Sequence, residues 1–417
     1  MNTVEIVSPD TNPASGQRRP LRVCHVAYTF YETDNRVVRY AREMQRQGNE
    51  IDVIALRRPG DATFGVADGV RLFRIQRRSV TETAAVTYLA KLVWFTIKAS
   101  VVLAVLHARR RYDIVHVHNI PDFLVFSALV PKLTGARLIL DIHDLVPELY
   151  AGKFGSSNRS IACKSLILLE KASCAFADHV IVANDLWYDA LLQRSAKRCT
   201  SIINYPDLSV FKPSPAGKSS TNGRFVFLYP GSLNHHQGVD LALKAFSRVR
   251  KDMPRSEFHV YGEGPDRPLL DKLVGELGLG DCVRIRDRVP IAEMAEIIAS
   301  ASVGVVPKRA DGFGNEAFST KTLEFMASNV PVIVSRTRVD SHYFNSTLVR
   351  FFEPGDDRDL AAAMLDTFQN REAARLRADS AQRFAIQNSW QQRGRDYLNL
   401  IDTLVAKGFE HRPFFNA

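Results

Sequence analysis

Glu316 and Glu324 are separated by seven residues in the run VGVVPKRADGFGNEAFSTKTLEFMASNVPVIVSRT, residues 303–337, with Ser319, Thr320 and Lys321 between them. If a helix begins near Ser319, its free N–H groups and the hydroxyls of Ser319 and Thr320 point the same way and suit a phosphate. Lys321 adds a cation in that turn, and Lys308 and Arg309 add charge at the end of the preceding apolar run. Glu324 lies about one turn further on, where its carboxylate can accept two hydrogen bonds from vicinal hydroxyls such as those of a ribose. Glu316 precedes the helix, at its mouth, where a sugar beyond a diphosphate would lie. Two glutamates at one spacing mean little alone. The apolar strand, glycine loop, helix and second apolar strand around them give the pair its weight.

Two glycine turns follow apolar runs in the same half of the chain. Tyr229-Pro230-Gly231-Ser232-Leu233 leads into His235-His236-Gln237-Gly238-Val239-Asp240, and Tyr261-Gly262-Glu263-Gly264-Pro265 closes another run. Such turns let a phosphate approach main-chain N–H groups, although a lone G-x-G also serves as a plain turn. In the first half, Asp113-Ile114-Val115-His116-Val117-His118-Asn119 and Asp141-Ile142-His143-Asp144 place histidines at or just beyond strand ends. His116 and His118 alternate along their strand, so one of them is expected on any given side; His116 reads as a core residue and His143 as the histidine of a cleft. Asp113, His116 and His118 lack the further partners of a metal centre, and no metal is expected. In the turn Tyr28-Thr29-Phe30-Tyr31-Glu32-Thr33-Asp34-Asn35-Arg36, Asp34 and Arg36 either face a ligand or cap the helix that follows.

Short β-branched runs alternate with helical stretches from Leu21 onward: Val23–Ala27, Ile51–Leu56, Ile114–Val117, Arg137–Asp141 and His179–Ala183. A second series comprises Phe225–Tyr229, Phe258–Tyr261, Val283–Ile285, Val303–Val306 and Pro331–Ser335. Continuous apolar runs are what strands covered on both faces require, and strand–helix alternation implies parallel βαβ units. The fold class expected is therefore α/β, with two doubly wound parallel-sheet domains joined near residue 206. The stretch Phe211–Gly217 reads as a linker and a helical segment reads from about Asp356 onward. Ligands of such sheets bind beyond the carboxyl ends of the strands, here in the cleft between the domains. The divisions expected are 1–20 as a disordered lead-in, 21–205, 206–385, and 386–417 as a C-terminal helix packing back toward the first domain.

The chain has 417 residues, 46% hydrophobic and 24% charged, which excludes a disordered or collagen-like polymer. Cys24, Cys163, Cys174, Cys199 and Cys282 form no C-x-x-C pair and give neither a disulfide framework nor a zinc spacing, so a reducing cytoplasmic setting fits. The polar segment Met1–Pro20 has no apolar stretch of the kind a secretory signal needs. The formal net charge of +10 is concentrated: residues 71–111 hold Arg71, Arg74, Arg77, Arg78, Lys91, Lys98, Arg109, Arg110 and Arg111 against Glu82. These charges surround an apolar stretch, Ala84–Leu106, interrupted by Lys91 and Lys98, which share one helix face. Two lysines disfavour a membrane span. The stretch reads either as a helix in the membrane interface, its basic ends on anionic headgroups, or as a crossover helix buried on a sheet; the two are compatible. No nucleic-acid-binding pattern accompanies the charge.

At these motifs the sequence resembles the retaining glycosyltransferases of family 4, in the exopolysaccharide or lipopolysaccharide branch. That resemblance implies a GT-B fold, two Rossmann-like domains facing a central cleft. It carries the donor-sugar contact to Glu316 and His143 and the donor ribose to Glu324. The Gly231 turn resembles the donor diphosphate loop, with Ser232 where relatives have Arg and Gln237 where they have Lys; Lys308, Arg309 and Lys321, beside Ser319 and Thr320, are the implied substitutes. Gly262 and Glu263 resemble the turn near the nucleoside, and the backbone of 284–289 is expected along the base. Asp34, Arg36, His118 and Asn119 are the residues implied on the acceptor side. The function implied is transfer of a sugar from a UDP- or GDP-sugar, without metal or other cofactor, to an acceptor hydroxyl. The acceptor expected is a lipid-linked or other saccharide, and the protein is expected at the cytoplasmic face of the membrane. A nucleotide-sugar 2-epimerase or phosphorylase of the same fold, and a catalytically silent subunit binding a partner, remain alternatives.

Overall fold

The computed structural model describes residues 19–78, 85–154, 160–195, 197, 199–214 and 223–410. Residues 1–18 of the lead-in, 215–222, which include the end of the linker, and 411–417 lie outside the described residues.

The first lobe is built on β1 (Arg22–Ala27), β2 (Glu50–Arg57), β3 (Phe64–Ala67), β4 (Val70–Arg77), β5 (Ile114–His118), β6 (Arg137–Ile142), β7 (His179–Val182) and β8 (Cys199–Ser201). They form one sheet in the order β3-β4-β2-β1-β5-β6-β7-β8, parallel except where β3 pairs antiparallel with β4. The five residues of β5 are all buried, as a central strand covered on both faces must be. α1 (Asn35–Arg46) follows β1; Asp34 caps it, its side chain accepting from the N–H groups of Arg36 and Val37 at 3.2 Å each. α2 (Ala85–Arg110) crosses to β5 and sets Leu92, Phe95, Ala99 and Leu103 into the core.

The second lobe carries β9 (Phe225–Pro230), β10 (Ser256–Tyr261), β11 (Val283–Arg286), β12 (Val303–Val306), β13 (Val332–Ser335) and β14 (Arg350–Phe352), an all-parallel sheet in the order β11-β10-β9-β12-β13-β14. In both lobes the order reverses about the first strand, which opens a crevice beyond the strand ends. Ile203 and Phe211 of the connecting segment pack into the second lobe. The helix Trp390–Glu410 returns to the first, where Trp390, Tyr397, Ile401, Leu404 and Val405 join a core with Tyr40 and Met44 of α1. Sequence patterning did not anticipate β3, β4, β8 and β14, which are short or carry alternating charge.

Candidate active site

In the second lobe the ends of β9 and β10 lie side by side, with Gly231 N–H donating to the Tyr261 carbonyl at 2.8 Å. A Cβ on Gly262 would stand 1.7 Å from the Gly231 carbonyl oxygen, so only glycine allows the two turns to meet. Lys321 reaches over this junction: its Nζ is 3.1 Å from where a Gly231 Cβ would sit and donates to Gln237 Oε1 at 3.2 Å. Burial pushes the Lys321 ammonium down to about 8, against the pull of Glu324 and with repulsion from Lys308. Lys321 belongs to the helix Thr320–Ala327, whose N-cap residue Ser319 is buried with an Oγ that has no partner among the described residues. A buried unsatisfied hydroxyl at a helix N-terminus is what a bound oxyanion would complete.

Lys308 and Arg309 do not share that task. Lys308 is 2% exposed and is held by Asp340 Oδ2 and the Ala317 carbonyl, each at 2.8 Å; Arg309 is held by Asp240 at 2.8 Å and by the His235 carbonyl. Nearer carboxylates take both charges, a correction to their expected place beside a diphosphate. Ser232 and the Glu263 side chain are exposed at the rim. Glu316 closes the short helix Gly312–Glu316, its carboxylate paired with Arg338 at 3.1 Å and its carbonyl accepting from Asn184 of the first lobe at 3.1 Å. Phe313 of the same helix packs on the core of the first lobe.

The first lobe answers with a network at the end of β6. Asp141 is fully buried; Arg36 donates to it twice, Nε to Oδ2 at 2.8 Å and a terminal nitrogen to Oδ1 at 2.7 Å. Burial opposes the charge on Asp141, but Arg36 and His143 hold its carboxyl well below the usual range. His118 Nδ1 and His143 Nε2 each stand 3.1 Å from the same Oδ2. Asn119 Oδ1 accepts from the His143 N–H at 2.7 Å, and its Nδ2 donates to Asp122 and to the Asp144 carbonyl, both at 2.8 Å. His118 and Asn119, 1% and 5% exposed, are engaged inside this network rather than on the acceptor side as expected, and hold His143 in place; Arg36, 5% exposed and bound to Asp141, still lines the cleft. His116 and His118 also correct the sequence reading. A strand has a period of two, and both rings face one side, stacked with centroids 4.3 Å apart.

His118, Asp141 and His143 offer three donor atoms close enough for one metal ion. Arg36 already brings a positive charge to the shared oxygen, however, and a dication there would be opposed by that guanidinium.

A cleft of about 320 Å³ joins the two halves, lined by His143, Asp34 and Arg36 from the first lobe, Asn204 to Asp207 of the connection, and Thr320 and Glu324 from the second. Burial pushes the Glu324 carboxyl up, against Lys321 and Arg39. Arg39, on the same face of α1 as Arg36, was missed in the sequence reading. It lines this cleft, donates to Asn204 Oδ1 at 2.9 Å and to the Tyr205 carbonyl, and exerts its charge on Glu324 across the gap. Its three-residue spacing from Arg36 was the available signal.

Two doubly wound lobes with a nucleotide-sized cleft between their strand ends define the GT-B architecture. Each half of the chain matches a family model: glycosyl transferases group 1 over residues 224–370 and the glycosyl transferase 4-like domain over residues 33–200. Among curated relatives, a D-inositol 3-phosphate glycosyltransferase of Catenulispora acidiphila is 27% identical over 55% of this chain and 57% of its own length. Another of that name, from Kineococcus radiotolerans, is 26% identical over 72% and 71%. An exopolysaccharide phosphotransferase of Streptomyces coelicolor is 32% identical over 35% of this chain but only 14% of its own. The fold matches sucrose-phosphate synthase of Thermosynechococcus elongatus (TM-score 0.76, 18% identity, 92% of this chain and 100% of that one). It also matches Anabaena HepE, solved with UDP-glucose (TM-score 0.70, 14% identity, 91% and 99%).

Proposed function

We propose that this chain transfers a sugar from a UDP- or GDP-sugar to an acceptor hydroxyl, with retention of configuration. The observation that supports this most is the junction of Gly231, Gly262, Lys321 and the unsatisfied Ser319 Oγ beside a cleft where Glu324 meets His143 of the opposite lobe. In this reading the helix N-terminus and Lys321 hold the diphosphate, Glu324 the ribose, and Glu316 and His143 the sugar. The bond from the anomeric carbon to the leaving phosphate oxygen breaks as the acceptor oxygen bonds to that carbon on the same face, and the acceptor's proton passes to the leaving phosphate. No metal takes part; the work of the protein is positioning and stabilisation of the departing diphosphate. Incubation of the full chain with UDP-glucose, UDP-galactose and GDP-mannose is expected to release the nucleotide from one of them, with the α-anomer kept in the product by NMR. Free epimerised donor would identify an epimerase instead, and absence of both turnover and nucleotide binding would favour a silent subunit.

The acceptor in this reading is a lipid-linked saccharide of cell-surface polysaccharide assembly, reached from the cytoplasmic face. The helix Thr87–Arg110 is long and apolar enough to cross a membrane, with mean hydropathy 1.9, but its buried face is part of the sheet core. Its other face supports an interfacial seat: Leu89, Val93, Ile97, Val101 and Val105 recur every fourth residue and are between 44% and 61% exposed, with Trp94 beside them. Lys98 lies over the Trp94 ring at 5.1 Å, and Arg109 to Arg111 mark the end of the stripe. An apolar stripe rimmed by cations suits anionic headgroups. Replacing Arg109, Arg110 and Arg111 by Gln is expected to release the protein from phosphatidylglycerol vesicles; unchanged cosedimentation would refute the seat.

A further inference from the structure

We infer that Asp141 is a positioning residue that fixes the tautomer of His143, with the proton on Nε2 and the Nδ1 lone pair turned to the cleft, so that the histidine receives a hydroxyl of the donor sugar as a hydrogen-bond acceptor. The inference rests on the reading above that His143 meets that sugar.

The proton placement follows from one ionised carboxylate. His143 Nε2 and His118 Nδ1 both lie 3.1 Å from Asp141 Oδ2. The two nitrogens also stand 3.1 Å from each other, but a bare lone pair on either would face the negative oxygen, so each carries a hydrogen directed at Oδ2 rather than at the other ring. With Nδ1 protonated, neutral His118 has its lone pair on Nε2, and that atom meets His25 Nδ1 at 3.0 Å, which must then be the donor. The proton positions of three imidazoles are thereby ordered outward from Asp141. Burial lowers the basicity of His25 and His118, which keeps both neutral and preserves this order. Arg36 anchors the carboxylate from its other side, and Asn119 fixes the main chain of His143. Asp141 therefore receives four N–H groups, one on Oδ1 from Arg36 and three gathered on Oδ2 from Arg36, His118 and His143. His143 Nδ1 has no partner among the described residues, and the ring, 20% exposed, is the member of the network that reaches the cleft.

Asp141→Asn keeps the shape and inverts the instruction. Its carbonyl oxygen, in the place of Oδ1, still accepts from the terminal nitrogen of Arg36, while its NH₂, in the place of Oδ2, gives up the Arg36 Nε bond and donates toward the histidines, so His143 must offer Nε2 as a lone pair and move its proton to Nδ1. The test is ¹⁵N NMR of the histidine rings in the ligand-free chain, with the His143 signals assigned by their loss in His143→Gln. We expect Nε2 protonated and Nδ1 bare in the wild type and the reverse in Asp141→Asn. Titration with UDP and UDP-glucose supplies the second readout, or GDP and GDP-mannose if that is the base bound. The variant should bind the nucleotide within about threefold of wild type and lose roughly tenfold of the extra affinity for the nucleotide sugar. A wild-type His143 protonated on Nδ1, or on both nitrogens, overturns the inference even if Asp141→Asn fails to fold. Equal losses for nucleotide and nucleotide sugar would make Asp141 merely structural. If the NMR pattern holds and no nucleotide binds, the fault lies with the proposed function rather than with the tautomer.

Discussion

Replacing Lys321 by Met removes one charge from the proposed diphosphate site and leaves a side chain of similar shape. A phosphate oxygen hydrogen-bonded to that ammonium would stand about 2.8 Å from it, which at an effective dielectric of about 20 corresponds to roughly 6 kcal/mol of attraction before compensation. Charged hydrogen bonds measured by mutation contribute about 1.5–3 kcal/mol net. Lys321 sits at the upper end, because burial has already stripped its water and pushed it down to about 8. A loss of about 3 kcal/mol, or roughly 150-fold in Kd for the nucleotide, is expected. The sign with pH follows from the same depression. In the free protein the ammonium loses its proton as pH rises through about 8, whereas a bound diphosphate holds it charged. Wild-type affinity should therefore fall by up to about tenfold per unit above that pH, and Lys321→Met should show no such dependence. Isothermal titration between pH 7 and 9 measures both. A change in Kd below about threefold, or a variant that keeps the wild-type pH dependence, would refute the reasoning.

Two further outcomes are expected. Glu324→Gln keeps one acceptor of the pair and should weaken nucleotide binding by roughly tenfold while a 2′,3′-dideoxy nucleotide loses nothing further, which titration of the two nucleotides compares. Gly262→Ala drives a Cβ to within 1.7 Å of the Gly231 carbonyl and must part the two turns, so nucleotide binding should vanish and Tm fall; a variant with wild-type affinity would mean the junction is not the diphosphate site.

The sheet cores were legible because strands buried on both faces are written as continuous apolar runs, and every run named from Val23–Ala27 to Pro331–Ser335 became a strand. The hairpin of β3 and β4 escaped because Arg71, Arg74 and Arg77 interrupt its apolar pattern. At the site, the helix carrying Lys321 and Glu324 was readable from local sequence, since strand, loop and helix are contiguous. What contiguity cannot reveal is which cation meets which anion. Arg36 and Asp141 are 105 residues apart, and only the folded sheet shows that this pair is buried together. Lys308 was likewise expected in the cleft because Asp340, which takes its charge, lies beyond the next strand. The stripe Leu89 to Val105 was visible as apolar sequence, but its division into a core face and an exposed face required the position of the sheet.

The central claim is that the cleft between the lobes is a metal-free nucleotide diphosphate site. Isothermal titration of the full chain with UDP, GDP and ADP in the presence of EDTA, repeated with Glu324→Ala, tests it most directly. The account predicts that one of these nucleotides binds at a single site, unaffected by the chelator, and that Glu324→Ala abolishes the heat. Failure of all three to bind, or binding that survives Glu324→Ala unchanged, would contradict it.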